Sequence, residues 1–211
     1  MNPSRREVLR FFGLALAWLP LCFTAWYFAM GPIGWLASRL AAPAIEASAG
    51  RVVAIERAAG AVAYVVEVEG PYRPGGSRRA EARLEVRAGV YTYGIALFAA
   101  LALAVSGWRR PGRLAIGGAI LLLLPTVGIA FDALRQLGTS PQLAALLAWP
   151  GGMRESIALG YQVGSLLLPT LGPIIVWLAL YPELGVMRRL RGPDAPPTPA
   201  EEGPRTAGSA P

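Results

Sequence analysis

Histidine and lysine are both absent from the 211 residues, cysteine occurs once, at Cys22, and only 16% of positions are charged. Without histidine the chain cannot assemble a Ser-His-Asp or Cys-His catalytic centre or a His-ligated haem, and one cysteine closes no intrachain disulfide. Zinc sites built from His and Cys are excluded by the same shortage. A water-soluble domain carries about 25% charged residues, so the polar surface for a soluble globule is missing too. The formal net charge of +7 is carried by arginine alone. With no basic stripe interleaved by aromatics, this balance reads as membrane orientation and headgroup contact, not as nucleic-acid binding.

What is abundant is apolar length: 54% of residues are hydrophobic. Four runs hold no charge: Phe11–Ser38, Ala88–Trp108, Leu114–Phe131 and Ser156–Pro182. Each reaches at least about 18 residues, enough for a helix to cross a hydrocarbon core of about 30 Å. The pattern predicts a mainly α membrane protein with four transmembrane helices and a small extracytoplasmic antiparallel β-module between helices one and two.

The expected layout starts with a short polar N-terminus at 1–10 and a first membrane helix at 11–38. Arg5-Arg6 faintly matches a twin-arginine export signal and Ala47-Ser48-Ala49 a signal-peptidase site. The apolar core is too long for a signal peptide, and three further spans follow, so helix one reads as an uncleaved anchor. Residues 39–89 differ in kind. Val62, Tyr64, Val66 and Val68 fall on one face with Glu67 and Glu69 on the other, and Ala82, Leu84 and Val86 alternate with Glu81, Arg83, Glu85 and Arg87. This period of two marks half-buried strands. With Arg51–Arg57 there are three, turning at Gly60 and at Gly70–Gly76. Such a module without a disulfide is marginal alone and is expected to lean on the helices or on a partner.

Helix two is expected at 90–107, a basic cytoplasmic loop at 108–113 and helix three at 114–131. Residues 132–156, broken by Pro141 and Pro150, read as an extracytoplasmic interfacial or re-entrant segment. Helix four is expected at 157–181, kinked by Pro169 and Pro173. The tail at 182–211, rich in Pro, Ala and Glu, reads as cytoplasmic and disordered. Ten arginines fall on each side of the membrane in this layout. Short loops govern orientation, so the three arginines in 108–113 outweigh eight spread from Arg39 to Arg87. Both termini are therefore expected in the cytoplasm of a bacterial inner membrane.

Few side chains offer chemistry. Cys22 in mid-helix, with no histidine as base, reads as packing. Asp132 and Arg135, three apart, can pair on one helix face near the interface. Tyr91 and Tyr93 before Gly94, and Tyr161-Gln162 before Gly164, lie where the chain enters the membrane from the β-module side. Tyrosines at that level are commonly belt anchors. The Gln162 carboxamide seeks a hydrogen-bond partner, either within the bundle or on another membrane protein or peptide. Glu67, Glu69, Glu81 and Glu85 share polar strand faces with Arg83 and Arg87, which favours salt pairs over paired catalytic carboxylates. No cofactor or metal set is visible.

Several segments carry a family resemblance. They are Trp18-Leu19-Pro20-Leu21-Cys22-Phe23 with Trp26-Tyr27, then Tyr91-Thr92-Tyr93-Gly94, then Tyr161-Gln162-Val163-Gly164-Ser165-Leu166 through Leu168-Pro169-Thr170 to Pro173 and Trp177. In order and spacing the chain resembles the exosortase H-associated membrane proteins over roughly residues 8–185. The resemblance implies a non-catalytic accessory of an exosortase-type protein-sorting system. Exosortases are polytopic, cysteine transpeptidase-like enzymes acting on a C-terminal signal of motif, membrane helix and basic end. Their active site uses Cys, Arg and His, a set this chain cannot supply. The implied partners are membrane lipids and the membrane-embedded enzyme or its sorting-signal substrate, with Tyr91, Tyr93, Gly94, Tyr161, Gln162 and Pro169 as candidate interaction residues. Two other readings stay open. Helices two to four could form a path for a lipid-linked or polysaccharide envelope precursor, lined by Asp132, Arg135 and Gln162. The chain could also be a structural anchor whose β-module binds an envelope partner.

Overall fold

A computed structural model describes residues 3–58, 60–70 and 79–182, with side chains described from residue 8 onward. The expected disordered tail and most of the Gly70–Gly76 turn lie outside the described residues. The helical body closes at Leu180, and the chain from Tyr181 belongs to a separate unit.

Helix α1 runs unbroken over Pro3–Ala49, 47 residues, with Pro20, Pro32 and Pro43 inside it. At 1.5 Å per residue it is about 70 Å long, far more than a bilayer core requires. The expected boundaries at 11 and 38 are thus both exceeded, and residues 39–49 of the expected β-module are helix. The cause is packing: Ala37, Ala41, Ile45 and Ala49 recur every fourth residue on one face and are all buried, joining the core beneath the sheet. Glycine ends the helix. Gly50 has a φ of 144°, a region open to glycine, and a Cβ there would strike the Glu67 carbonyl.

Strands β1 (Arg51–Ala58), β2 (Ala61–Glu69) and β3 (Arg79–Val86) form an antiparallel meander in the order β1-β2-β3. Register pairs Tyr64 with Ile55 on one side and Leu84 on the other, and it slips between Val52 and Ala54. The alternation read from the sequence holds in β3, whereas central β2 is buried on both faces from Val62 to Val66, Ala63 and Val65 included. Val62, Tyr64, Val66, Val68, Leu84 and Val86 are buried in one core with Ile129, Ala133, Leu134 and Leu137. Arginine–glutamate pairs knit the outer face: Arg79–Glu69 at 2.9 Å and Arg83–Glu56 at 3.1 Å. Three hydrogen bonds tie the module to helices, as its small size requires. Tyr64 Oη donates to the Ser38 carbonyl at 2.6 Å, Gln136 Nε2 to the Glu85 carbonyl at 3.1 Å and the Val52 N–H to Glu46 Oε1 at 3.2 Å, while beside the module Trp149 Nε1 donates to the Ser48 carbonyl at 3.1 Å. The Ser48 carbonyl lies in the last turn of α1, where no intrahelical N–H remains to meet it.

The second span combines α2 (Gly89–Thr92) and α3 (Gly94–Ser106), helical through Tyr93 and closing in a 3₁₀ turn at Gly107–Arg109. Helix α4 (Pro111–Thr139) takes Pro111 as its first residue and runs eight residues beyond the expected end at Phe131. Its extension carries Asp132, Arg135 and Gln136 under the sheet. The segment expected as interfacial or re-entrant is therefore largely helix: the end of α4, then α5 (Pro141–Leu147), then the start of α6. Leu143, Leu146, Leu147 and Trp149 pack on the core shared with the sheet.

Helices α6 (Gly151–Gln162) and α7 (Leu168–Leu180) flank a π-helical turn at Val163–Leu167 and make one continuous span from Gly151 to Leu180. Proline explains the turn. Pro169 has no N–H, and its ring crowds the carbonyl four residues back; widening to an i→i+5 pattern, seen in Leu168 N–H bonding to Val163, relieves the strain. The irregularity thus falls ahead of the first proline as a π-helical turn. Among the described residues, four helices are long and apolar enough to cross a membrane, with the sheet inserted between the first two.

Candidate functional site

The foot of the sheet gathers the polar side chains of three helices. Asp132, Arg135 and Gln136 are at i, i+3 and i+4 on α4 and so share a face. The Asp132 carboxylate accepts from Arg135 Nη2 at 3.2 Å and from Gln136 Nε2 at 3.4 Å. Gln136 also reaches the Glu85 backbone of β3, so α4 is pinned to the sheet through the same group. The Arg135 guanidinium lies 4.3 Å above the Tyr161 ring of α6. From α2, buried Tyr91 faces Asp132, Arg135 and Tyr161. The Asp132 side chain keeps 12% of its surface and Arg135 38%. An ion pair this unevenly sheltered leaves the carboxylate dependent on its donors. Arg135 Nε is buried with no hydrogen-bond partner among the described residues, leaving one donor over.

This arrangement extends the expected Asp132–Arg135 pair into a cluster of five side chains. Sequence reading misses Gln136, although its place four residues after Asp132 is a usable signal. The cluster shelters an ion pair and stitches α2, α4, α6 and β3 together. It presents no base or nucleophile pair.

Below it the motif residues meet one another. Tyr93 Oη and Thr170 Oγ1 lie 3.0 Å apart. A Cβ on Gly94 would come within 2.7 Å of both the Pro169 carbonyl and the Pro173 ring, so only glycine lets the second span close on the fourth. Gly128 and Gly164 touch in the same way, with the Tyr91 ring beside them, and Gly160 accommodates the Phe131 ring. Trp26 Nε1 donates to Thr92 Oγ1 at 3.2 Å, bringing the first span to the same seam. Thr92 and Thr170 stand in the quoted motifs without being singled out, and Gly128 and Gly160 escape sequence reading, since small residues inside apolar runs announce no partner.

Cys22 is buried among Ala96, Ala100 and Leu103 of α3, a packing position. Gln162 stands apart. It is exposed, beside Leu159 (62% exposed), Val163 (42%) and Leu166 (67%), and no hydrogen bond to it is present among the described residues. It does not join Asp132 and Arg135 in a common polar lining. One carboxamide on an outward apolar face is the feature of this span that internal packing does not use.

Comparison with known proteins supplies one match: a family model described as exosortase H-associated membrane protein fits residues 5–184. No curated protein and no solved structure matches the chain.

Proposed function

Because the chain belongs to the exosortase H-associated membrane protein family, we propose that it is a non-catalytic accessory of an exosortase-type sorting system. It packs beside the sorting enzyme or presents the substrate's membrane helix. The residue inventory supports this reading: a chain without histidine lacks the Cys-Arg-His set that the resemblance assigns to the enzyme. The observation that carries it is Gln162, a carboxamide with no internal partner on an apolar outward face. A neutral hydrogen-bonding group against lipid gains from a partner helix about 1 kcal/mol, and the leucines around it would supply the packing. In this reading the bundle lies in the inner membrane, with both termini in the cytoplasm and the sheet outside.

The test is photocrosslinking in the native host. A photoreactive residue at position 162 is expected to capture a histidine-containing polytopic enzyme or a protein bearing a sorting signal. The same probe at Ile116, exposed on α4, serves as the comparison. Capture of polysaccharide- or lipid-export components at 162, or sorting-signal processing that is unchanged on deletion of the gene, refutes the proposal.

A further inference from the structure

The junction of the first span with the sheet holds a second polar arrangement, distant in sequence from the Asp132 cluster. The Arg39 and Arg57 guanidinium carbons each lie 4.9 Å from the Trp35 ring centroid, one from α1 and one from the end of β1. Neither arginine makes an ion pair among the described residues, whereas Arg79 and Arg83 of the same module are paired with glutamates. Beside them is a cleft of about 150 Å³ lined by Met30, Pro32, Gly34, Arg57, Ala61 and Ala88. Its walls are apolar apart from the arginine.

Depth follows from the spacing of charge. The uncharged run from Phe11 to Ser38 covers about 42 Å as helix, the full thickness of a bilayer with its headgroups, about 40–45 Å. Arg10 and Arg39 thus mark the two headgroup planes, and Trp35 sits one turn inside the second. The second span agrees, since charge stops at Arg87 and the helix starts at Gly89, next to Gly34 through Ala88. Ala58 and Ala61, at the facing ends of β1 and β2, line the same cleft as Met30, Pro32 and Gly34, so this end of the sheet reaches the headgroup zone instead of standing clear of it.

We propose that Arg39 and Arg57, held on Trp35, bind the phosphate of an anionic phospholipid in the leaflet facing the sheet, with the adjoining cleft receiving the apolar start of that lipid. Guanidinium suits such a site because it is weakly hydrated, planar and able to stack on an aromatic while donating to a phosphate. Two such groups with no carboxylate to neutralise them favour a lipid with net negative charge over a zwitterion, whose ammonium the second arginine repels. The consequence is a module docked to its own membrane at a fixed tilt, independent of which side of the membrane it occupies.

The test uses the full chain, delipidated in mild detergent and titrated with phosphatidylglycerol or phosphatidylcholine under native mass spectrometry. The wild type is expected to hold phosphatidylglycerol at least several-fold more tightly. Arg39→Gln and Arg57→Gln each weaken it about fivefold, from the roughly 1 kcal/mol that a surface arginine contributes to anionic lipid binding. Arg83→Gln on the outer sheet face leaves it unchanged. The Arg39→Lys/Arg57→Lys pair, which keeps the charge, retains the preference and separates lipid binding from any folding defect. Equal retention of the two lipids, or an Arg39→Gln/Arg57→Gln variant that still holds phosphatidylglycerol as the wild type does, overturns the site. Displacement by millimolar inorganic phosphate makes it a free-anion site and overturns the lipid assignment.

Discussion

Tyr64 gives the sharpest way to ask whether the sheet is anchored as described. Its ring is fully buried and its hydroxyl donates to the Ser38 carbonyl of α1 at 2.6 Å. Burial pushes its ionisation up from 10 to about 12, against a smaller opposing contribution from the Ser38 side chain. In an unfolded or detached module the phenol ionises near 10. The neutral form is therefore the one the fold favours. Its contribution is complete below pH 10 and is lost as pH rises through 12, and two pH units correspond to about 3 kcal/mol. Replacing Tyr64 by Phe removes the hydrogen bond, at a cost of about 1 kcal/mol, and removes the titration as well. Wild type is thus more stable at pH 8, the two proteins are equal near about pH 11, and Tyr64→Phe is the more stable at pH 12. Denaturant unfolding in a non-ionic detergent, followed by circular dichroism at pH 8, 10, 11 and 12, reads the crossing. Other tyrosines titrate in both proteins and cancel in the comparison. Curves that stay parallel across this range would refute the buried anchor.

The remaining predictions concern the site. Arg135→Gln takes the guanidinium from the Asp132 carboxylate and, with Arg135 over a third exposed and Gln136 still donating, is expected to cost about 1–2 kcal/mol, whereas Asp132→Asn/Arg135→Gln costs less than Arg135→Gln alone; a thermal-unfolding double-mutant cycle measures the difference. Gly128→Leu forces side-chain atoms into the Tyr91 ring and the Gly164 backbone, lowering stability by about 1–3 kcal/mol and weakening crosslinking between cysteines engineered into α4 and α6. Gln162→Leu leaves the unfolding midpoint within about 0.5 kcal/mol of wild type, yet is expected to reduce co-purification of the sorting partner severalfold; unchanged co-purification would remove Gln162 from the interface.

Much of the fold was legible because two periodicities are hard to disguise. Runs without charge at Phe11–Ser38, Ala88–Trp108, Leu114–Phe131 and Ser156–Pro182 fixed the number of spans, and the alternation through Val62–Val68 and Ala82–Val86 fixed the strand faces. Helix ends were less visible, for a physical reason. A charge such as Arg39 or Asp132 marks where a helix leaves the bilayer, not where it stops. α1 continues because Ala41, Ile45 and Ala49 find a sheet to pack on, and α4 continues because Leu134 and Leu137 do. The partners of the motif residues were not visible either. Tyr93 and Thr170 are 77 positions apart, and neither type specifies the other.

That seam also narrows where recognition can occur. Tyr91 is buried against Asp132 and Gly128, Tyr93 is engaged by Thr170, Gly94 and Pro169 are in contact, and Tyr161 lies beneath Arg135. Tyr91, Gly94 and Pro169 are thus buried in holding the spans together, whereas Tyr93 and Tyr161 are engaged internally but stay half-buried. Opening the bundle would part the Gly94–Pro169 and Gly128–Gly164 contacts together with the Tyr91 packing, a loss that no single interhelical hydrogen bond, worth about 1 kcal/mol, repays. In the proposed accessory role, the outward face where Gln162 sits with Leu159, Val163 and Leu166 is the recognition surface that costs the bundle no internal contact. A partner helix seated there would meet one carboxamide within an apolar stripe, so its own contacting face should present small or apolar residues and a single hydrogen-bonding group.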